Sequence, residues 1–97
     1  MGCLHYGPRL SYAFDDRTLA HLRAVITAKL LRQESFVLTW NEGAAQRTVW
    51  LHPSVDLVFD FDEYRAEPLN LAWLEVLSDL ANSPAGLRLV EEPEAAE

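Results

Sequence analysis

Apolar and polar side chains alternate, with the exception of Val58, in the second half of the segment 47–62. One side of the alternation carries Val55, Leu57, Phe59 and Phe61, and the other carries Asp56, Asp60 and Asp62. Successive side chains of a strand leave the pleated backbone in opposite directions. The pattern therefore predicts a strand that buries one face and exposes the other to water.

Shorter alternating segments predict the other strands, at residues 4–6, 10–14, 35–40, 46–51 and 86–90. The turn-forming pair Gly7-Pro8 separates the first two and favours a hairpin. Pro53, within the sequence His52-Pro53-Ser54, has no amide hydrogen to donate and is expected to interrupt the ladder before the strand at 55–61. The three strands from 35 to 61, joined by short links, predict an antiparallel meander.

Two amphipathic helices complete the pattern. The apolar residues of the first recur at steps of three and four, at Leu19, Leu22, Val25, Ile26 and Leu30. Asp15-Asp16 provides its N-cap. The apolar face of the second is Leu71, Trp73, Leu74, Leu77, Leu80 and Ala81. Asn70 is its predicted N-cap, and Pro84 cannot continue the helix.

The resulting order, ββ-α-βββ-α-β, predicts a two-layer α+β fold with an antiparallel sheet of five to six strands and both helices on one face of the sheet. Residues 1–90 are expected to form a single α+β domain. Residues 91–97 contain four glutamates and are predicted to be an acidic, frayed C-terminal tail.

Composition narrows the classes of function. The net charge of −7 disfavours contact with nucleic-acid phosphates, and no apolar run is long enough for a membrane span. The first residues lack the basic and long apolar regions of a secretion signal, so we expect a cytoplasmic protein. Cys3 is the one cysteine, which excludes an internal disulfide.

Three sequence blocks carry a resemblance to a known family. They are His21-Leu22-Arg23-Ala24-Val25-Ile26 with Lys29-Leu30 and Glu34-Ser35-Phe36; Thr48-Val49-Trp50-Leu51-His52-Pro53-Ser54; and Leu69-Asn70 with Trp73, Ala81-Asn82-Ser83-Pro84 and Gly86-Leu87. Together they resemble short actinobacterial proteins of unknown function, about a hundred residues long, that often carry the name ATP-dependent DNA ligase. The resemblance implies no catalytic residues.

An ATP-dependent DNA ligase requires a lysine in a specific motif, and the sequence can be checked for it. A nucleotidyl-transferring ligase attacks ATP with a lysine followed by X-Asp-Gly. Lys29 is the only lysine, and Leu30-Leu31-Arg32 follows it. The glycines are scattered and form no phosphate-binding loop. We therefore predict no ligase-type adenylation and no cofactor.

Other groups of reactive residues give only weak evidence for a catalytic or metal site. His52, Ser54 and Asp56 supply the residue types of a hydrolase triad, but side chains two apart on one strand lie roughly 6.5 Å from each other, too far for direct hydrogen bonds. Pro53 instead predicts a turn in which Ser54 or His52 bonds the local backbone. A metal site could use His52 with Asp56 and Asp60, or the oxygens of Asp60, Asp62 and Glu63 for a hard cation, although no loop has cation-binding spacing. His5 and His21 are expected at the boundary of the core. No catalytic or metal-ligating residue is predicted, and the chain is expected not to be an enzyme.

Two binding hypotheses remain. A nucleic-acid-associated accessory role would use Arg17, Lys29 and Arg32, which share roughly a third of a turn of the first helix. A protein-interaction or self-association role would use Trp50, Thr48 and His52, because Trp50 and Thr48 lie opposite the core-facing Val49 and Leu51. An exposed tryptophan is a common interface anchor, so protein interaction is the favoured prediction. Alternatively, the loop after Asn41 covers Trp50.

Overall fold

The computed structural model describes residues 1–63 and 68–94, and the predicted order of elements is confirmed. The elements are β1 (Gly2–Tyr6), β2 (Leu10–Phe14), α1 (Asp16–Leu31), β3 (Phe36–Glu42), β4 (Ala45–Leu51), β5 (Leu57–Asp60), α2 (Leu71–Ala81) and β6 (Leu87–Arg88). Among the described residues, neither helix is long and apolar enough to cross a membrane. Residues 64–67 of the predicted loop after Asp62, and 95–97 of the predicted tail, lie outside the described part.

The strands form two three-stranded sheets, so the prediction of a single sheet of five to six strands is wrong. One sheet has the order β2-β1-β5 and the other β4-β3-β6. The turn at His52-Pro53-Ser54 ends β4, and β5 then pairs with β1 rather than with β4. A hydrogen bond of 2.8 Å from the Gly7 amide to the Asp56 carbonyl fixes the start of that pairing. The meander predicted from 35 to 61 therefore stops after β4.

The second sheet is not fully antiparallel, contrary to the prediction. β6 pairs with β3 in parallel, with Leu38 opposite Leu87 and Thr39 opposite Arg88. This direction follows from α2, which lies between β5 and β6 in the chain and packs against β6. Helix α1 packs against α2 and against β1 of the other sheet, so the two helices do not share one face of one sheet.

The predicted apolar faces meet in one core. Its buried members are Leu4, Phe14, Leu19, Leu22, Val25, Ile26, Phe36, Leu38, Trp40, Val49, Leu51, Trp73, Leu77, Ala81 and Leu87. The Trp40 ring contacts Tyr12 and Phe14 at centroid distances of 5.0 and 5.1 Å, which joins the inner faces of the two sheets. Leu71, predicted on the apolar face of α2, is instead 75% exposed in the first turn of the helix.

Both predicted N-caps are confirmed. A carboxylate oxygen of Asp15 accepts from the Thr18 amide at 3.0 Å, and the Asn70 side chain accepts from the Ala72 and Trp73 amides at 3.0 and 3.2 Å. These oxygens satisfy amides that have no partner inside the helix. The caps fix the start of α1 and α2.

Helix α1 ends in a Schellman motif. The Glu34 amide donates to the Lys29 carbonyl at 3.2 Å and the Gln33 amide donates to the Leu30 carbonyl at 2.9 Å. The motif needs a residue in the left-handed region, and Gln33 occupies it with φ of 60°. A side chain with a Cβ is strained there.

We expect Gln33→Gly to raise the free energy of unfolding by about 0.5–1 kcal/mol, because the relieved strain exceeds the added entropy of the unfolded chain. Chemical denaturation monitored by circular dichroism measures this difference. Gln46→Gly, at an exposed strand position, is the control and should destabilise the protein. A Gln33→Gly protein less stable than the parent would contradict the assignment of strain.

Candidate interaction surface

The side of the sheet β4-β3-β6 that faces away from the core carries a surface that we call the outer face. Cross-strand register places on it Val37, Thr39, Asn41, Gln46, Thr48, Trp50 and Arg88. Residues of the opposite parity, including Leu38, Val49 and Leu51, are buried beneath it. Exposed and buried residues alternate along these strands because successive side chains point to opposite faces of the sheet.

Trp50 is the largest apolar side chain on the outer face and is 58% exposed. The loop after Asn41 therefore does not bury it. Trp40 and Trp73 are 4% and 3% exposed. Of the three tryptophans, all of which lie in the described part of the chain, Trp50 is thus the exposed one, and its position opposite the buried Val49 is the one that the alternation in β4 predicted.

Thr48 lies beside Trp50 on the outer face and is also exposed. Its Oγ1 lies 3.0 Å from Oγ1 of Thr39, directly across the pair of strands. Paired threonines of this kind stabilise an antiparallel ladder. His52 is exposed in the turn after β4, and its amide donates to the Tyr6 hydroxyl at 2.9 Å. This bond closes the end of β4.

β4 lies at the edge of its sheet, and the hydrogen bonds show which of its backbone groups are unpaired. The Leu89 amide donates to the Thr39 carbonyl at 2.9 Å, so the backbone groups of Thr39 point toward β6. Thr39 and its partner Thr48 are therefore a non-hydrogen-bonded pair, and the groups of Thr48 point to the free edge. The same holds for Gln46 and Trp50, which are two residues away on either side.

The outer face differs in charge from the chain as a whole. The protein has 15 acidic and 8 basic residues, whereas the outer face contains no carboxylate and one guanidinium, that of Arg88. The nearest ion pair, between Arg47 and Glu42, belongs to the opposite parity at the hairpin end. The outer face can thus approach another surface without opposing carboxylates.

The turn at 52–54 brings together two of the three residues considered for a hydrolase triad. Ser54 Oγ lies 2.7 Å from His52 Nδ1, and the Ser54 amide donates to the same nitrogen at 3.1 Å. The separation of roughly 6.5 Å applies to a strand and is wrong for His52 and Ser54, because the chain turns at Pro53, as the proline predicted. No side-chain hydrogen bond joins Asp56 to either residue in the described part of the chain. The pair stabilises a turn, and no third residue within 1–63 and 68–94 forms a hydrogen bond that would orient His52 as a catalytic histidine.

Two of the three cations considered for nucleic-acid contact are paired with carboxylates. Arg17 forms a bidentate pair with Glu92, and the Lys29 ammonium lies 2.7 Å from Glu34. Lys29 also donates to the Asn82 side chain at 2.9 Å, which ties the C-terminal ends of the two helices. Arg32 is exposed. The three residues therefore do not form an uncompensated basic face.

His21 joins the two helices and was missed as a core residue. It is fully buried, not at the boundary as predicted. Its Nε2 accepts from the Asn70 amide at 2.9 Å and its Nδ1–H donates to the Arg17 carbonyl at 2.8 Å. The ring stacks on Trp73 with centroids 4.5 Å apart. His21 lies four residues before the buried Val25 and therefore on the same face of α1, and this spacing is the feature of the sequence that could have predicted its burial.

Asn70 extends this contact to the C-terminal segment. Its Nδ2 donates to Glu92 at 2.9 Å and to the Pro93 carbonyl at 2.8 Å, and Trp73 donates to the Val90 carbonyl at 3.1 Å. Residues 90–93 therefore lie against α1 and α2, although part of them falls in the segment predicted to fray. The adjoining open cleft, about 440 Å³, is lined by Thr18, Asn41, Trp73, Leu89, Glu91 and Glu92.

Hydrogen bonds from Arg17 and then from Asn70 lower the pKa of Glu92 to about 2, from an ordinary value of 4.5. Because the pKa is lower in the folded protein, this carboxylate stabilises the fold above about pH 4.5 and loses its contribution as the pH falls toward about 2. We expect the difference in melting temperature between the parent and Glu92→Gln to shrink over that range. Thermal denaturation followed by circular dichroism measures it.

The matched control for this pH series is Glu91→Gln, which removes the neighbouring carboxylate and leaves the Arg17–Glu92 pair in place. The difference in melting temperature for Glu91→Gln should not follow the same pH range. A Glu92→Gln difference in melting temperature that stays constant from neutral pH to about pH 2 would contradict the assigned contribution.

Among residues 1–63 and 68–94, no group of three or more histidine, cysteine or acidic side chains is placed to hold a metal ion.

Comparison with curated proteins and with solved structures gives no match to this chain. A family model described as "Domain of unknown function (DUF7882)" matches residues 1–92. The match includes the outer face, the turn at 52–54 and the contact of His21 with Asn70. The chain therefore belongs to the DUF7882 family of domains of unknown function.

Proposed function

We propose that this protein is a non-catalytic cytoplasmic module that binds another polypeptide through the outer face and the free edge of β4. The observation that carries the proposal is Trp50, an aromatic side chain 58% exposed on an edge strand. Exposed tryptophans often anchor protein interfaces, because one ring buries a large area with little loss of side-chain freedom.

The mode of binding follows from the backbone. The unpaired groups of Gln46, Thr48 and Trp50 can hydrogen-bond an added strand, and main-chain pairing of this kind supplies affinity in strand addition. The neighbouring Trp50 ring supplies a side-chain contact that selects the partner. β4 contains no proline and no lysine, two residues that commonly protect an edge strand from pairing, and its one charged side chain, Arg47, lies on the parity opposite to the outer face.

Catalysis by ligase chemistry has less support. The lysine of an adenylating enzyme must reach the α-phosphate of ATP. Lys29 is 12% exposed, and its ammonium contacts the Glu34 carboxylate and the Asn82 side chain. The ligase name of the similar actinobacterial proteins is therefore not adopted as the function. Likewise, nucleic-acid contact through α1 would require Arg17 and Lys29 to leave their carboxylates.

Site-specific cross-linking in the native cell tests the proposal. A photoreactive benzoylphenylalanine replaces Gln46, which lies on the outer face beside the free edge. We expect covalent adducts with a polypeptide, identified by mass spectrometry, and we expect Trp50→Ala to reduce their yield by about tenfold or more. The same cross-linker at Glu75, exposed on α2, is the control and should give no such adduct.

An adduct between position 46 and either another protein or a second copy of this chain supports the interaction function. Absence of any adduct, adducts that persist unchanged in the Trp50→Ala protein, or adducts with nucleic acid alone would each overturn it. The last outcome would favour the accessory role at nucleic acid.

A further inference from the structure

We propose that the polypeptide bound at the free edge is a second copy of this chain, paired through antiparallel β4 strands about a two-fold axis at Thr48. This inference rests on the function proposed above and names its partner. It would join two three-stranded sheets into one continuous sheet of six strands.

The register of the pairing follows from the unpaired backbone groups. Only Gln46, Thr48 and Trp50 present their groups at the free edge, because the next amide in that direction, of His52, donates to Tyr6. In antiparallel pairing about Thr48, Thr48 faces Thr48 of the second copy and Gln46 faces its Trp50. Each of these three residue pairs exchanges two hydrogen bonds, about six in all.

Shifting the register by two residues in either direction leaves one of the three residues on each copy without a partner. A shift toward the hairpin also places Arg47 opposite Arg47 of the second copy, which is unfavourable. The register about Thr48 avoids this contact and uses the whole of β4. It is therefore the pairing in which the free edge complements itself completely.

Side chains agree with this register. The axis is perpendicular to the sheet, so the outer faces of the two copies are continuous. Each Trp50 ring then lies beside Gln46 of the other copy and covers its aliphatic part. The two Thr48 hydroxyls meet at the axis, and threonine pairs stabilise neighbouring strands.

Charge favours a second copy at this place over other parts of the surface. Two molecules of net charge −7 repel each other, and the outer face is a surface on which no carboxylate opposes another. Association should therefore strengthen with added salt, because salt screens the repulsion between the copies while the hydrogen bonds and the Trp50 contact persist. The association of an interface held by ion pairs would instead weaken with added salt.

Sedimentation of the purified 97-residue chain from about 1 µM to about 1 mM tests the proposal. We expect reversible dimers. Thr48→Pro should raise the dissociation constant at least about tenfold without unfolding the chain, because the Thr48 amide points away from β3. Trp50→Ala should raise it roughly thirtyfold. Leu71→Ala, which removes an exposed leucine from α2, is the control and should change nothing.

Cysteine cross-linking checks the register even if Thr48→Pro lowers stability. In a Cys3→Ala background, oxidised Thr48→Cys should form a disulfide dimer, since residues facing each other in a hydrogen-bonded pair have Cα atoms about 5.5 Å apart. Gln46→Cys is offset from itself by four residues, about 13 Å along the strand, and should remain monomeric.

A protein that is monomeric up to about 1 mM, or dimers insensitive to both Thr48→Pro and Trp50→Ala, would overturn the second copy as partner. Equal disulfide yields at positions 46 and 48 would overturn the register. In these cases, adducts between position 46 and another protein in the cell would still support the interaction function, whereas their absence would remove both proposals.

Discussion

Replacing Gly86 with alanine is expected to lower the free energy of unfolding by about 3 kcal/mol. Gly86 has φ of +84°, a conformation that strains any residue with a Cβ, and it directly precedes β6. An added Cβ would lie 2.3 Å from Cγ2 and 2.9 Å from the carbonyl oxygen of Val37. The close approach of Gly86 to β3 is what allows β6 to pair in parallel beside it.

Urea denaturation of Gly86→Ala measures the loss, and Gly43→Ala is the matched control. Gly43 has φ of +63°, yet an added Cβ would meet no atom within 4 Å. Gly43→Ala should therefore cost only the backbone strain, about 1 kcal/mol. In a Gly86→Ala protein, Val37→Ala should restore part of the stability, since it removes Cγ2 but not the carbonyl. Equal losses for the two glycine variants would contradict this role of Gly86.

Replacing Asn70 with alanine is expected to cost about 2–4 kcal/mol. Asn70 is 4% exposed, and its side chain both caps α2 and donates to Glu92 and Pro93. Alanine would leave the amides of Ala72 and Trp73 without the cap and the Pro93 carbonyl without a donor. Buried groups that lose a partner carry the full cost of their desolvation.

Thermal and urea denaturation of Asn70→Ala measure this loss. Asn82→Ala is the control, because Asn82 is exposed at the end of α2 and its side chain accepts one hydrogen bond, from Lys29. We expect it to cost less than about 1 kcal/mol. If Asn70→Ala were no more damaging than Asn82→Ala, the polar contacts around Asn70 would not hold the helices and C-terminal segment together.

Local patterns were sufficient to predict the elements. Alternation at Phe36, Leu38 and Trp40 identified a strand with a buried side, and Asp15 and Asn70 identified two helix starts. Each of these signals depends only on neighbours within a few residues, so the local sequence is sufficient to identify the element. The same alternation placed Trp50 on the face opposite Val49 and Leu51, but it left open whether the loop after Asn41 covers the ring.

Long-range pairing was not predictable in this way. The choice of β1 rather than β4 as the partner of β5 depends on the turn around Pro53 and on contacts between distant segments. The parallel direction of β6 depends on where α2 places its C-terminal end. The burial of His21 depends on the Asn70 amide, 49 residues away. Periodicity describes one element at a time and carries no information about such partners.

Fluorescence quenching by acrylamide tests most directly whether the ring of Trp50 forms an open binding surface. Trp40 and Trp73 are buried, so the quenchable emission of dilute protein should come from Trp50 and disappear in Trp50→Phe. This emission should become protected when the polypeptide found by cross-linking at position 46 is added. Emission from Trp50 that is protected in the dilute protein, or that remains equally quenchable with the partner bound, would contradict an open binding surface at this ring.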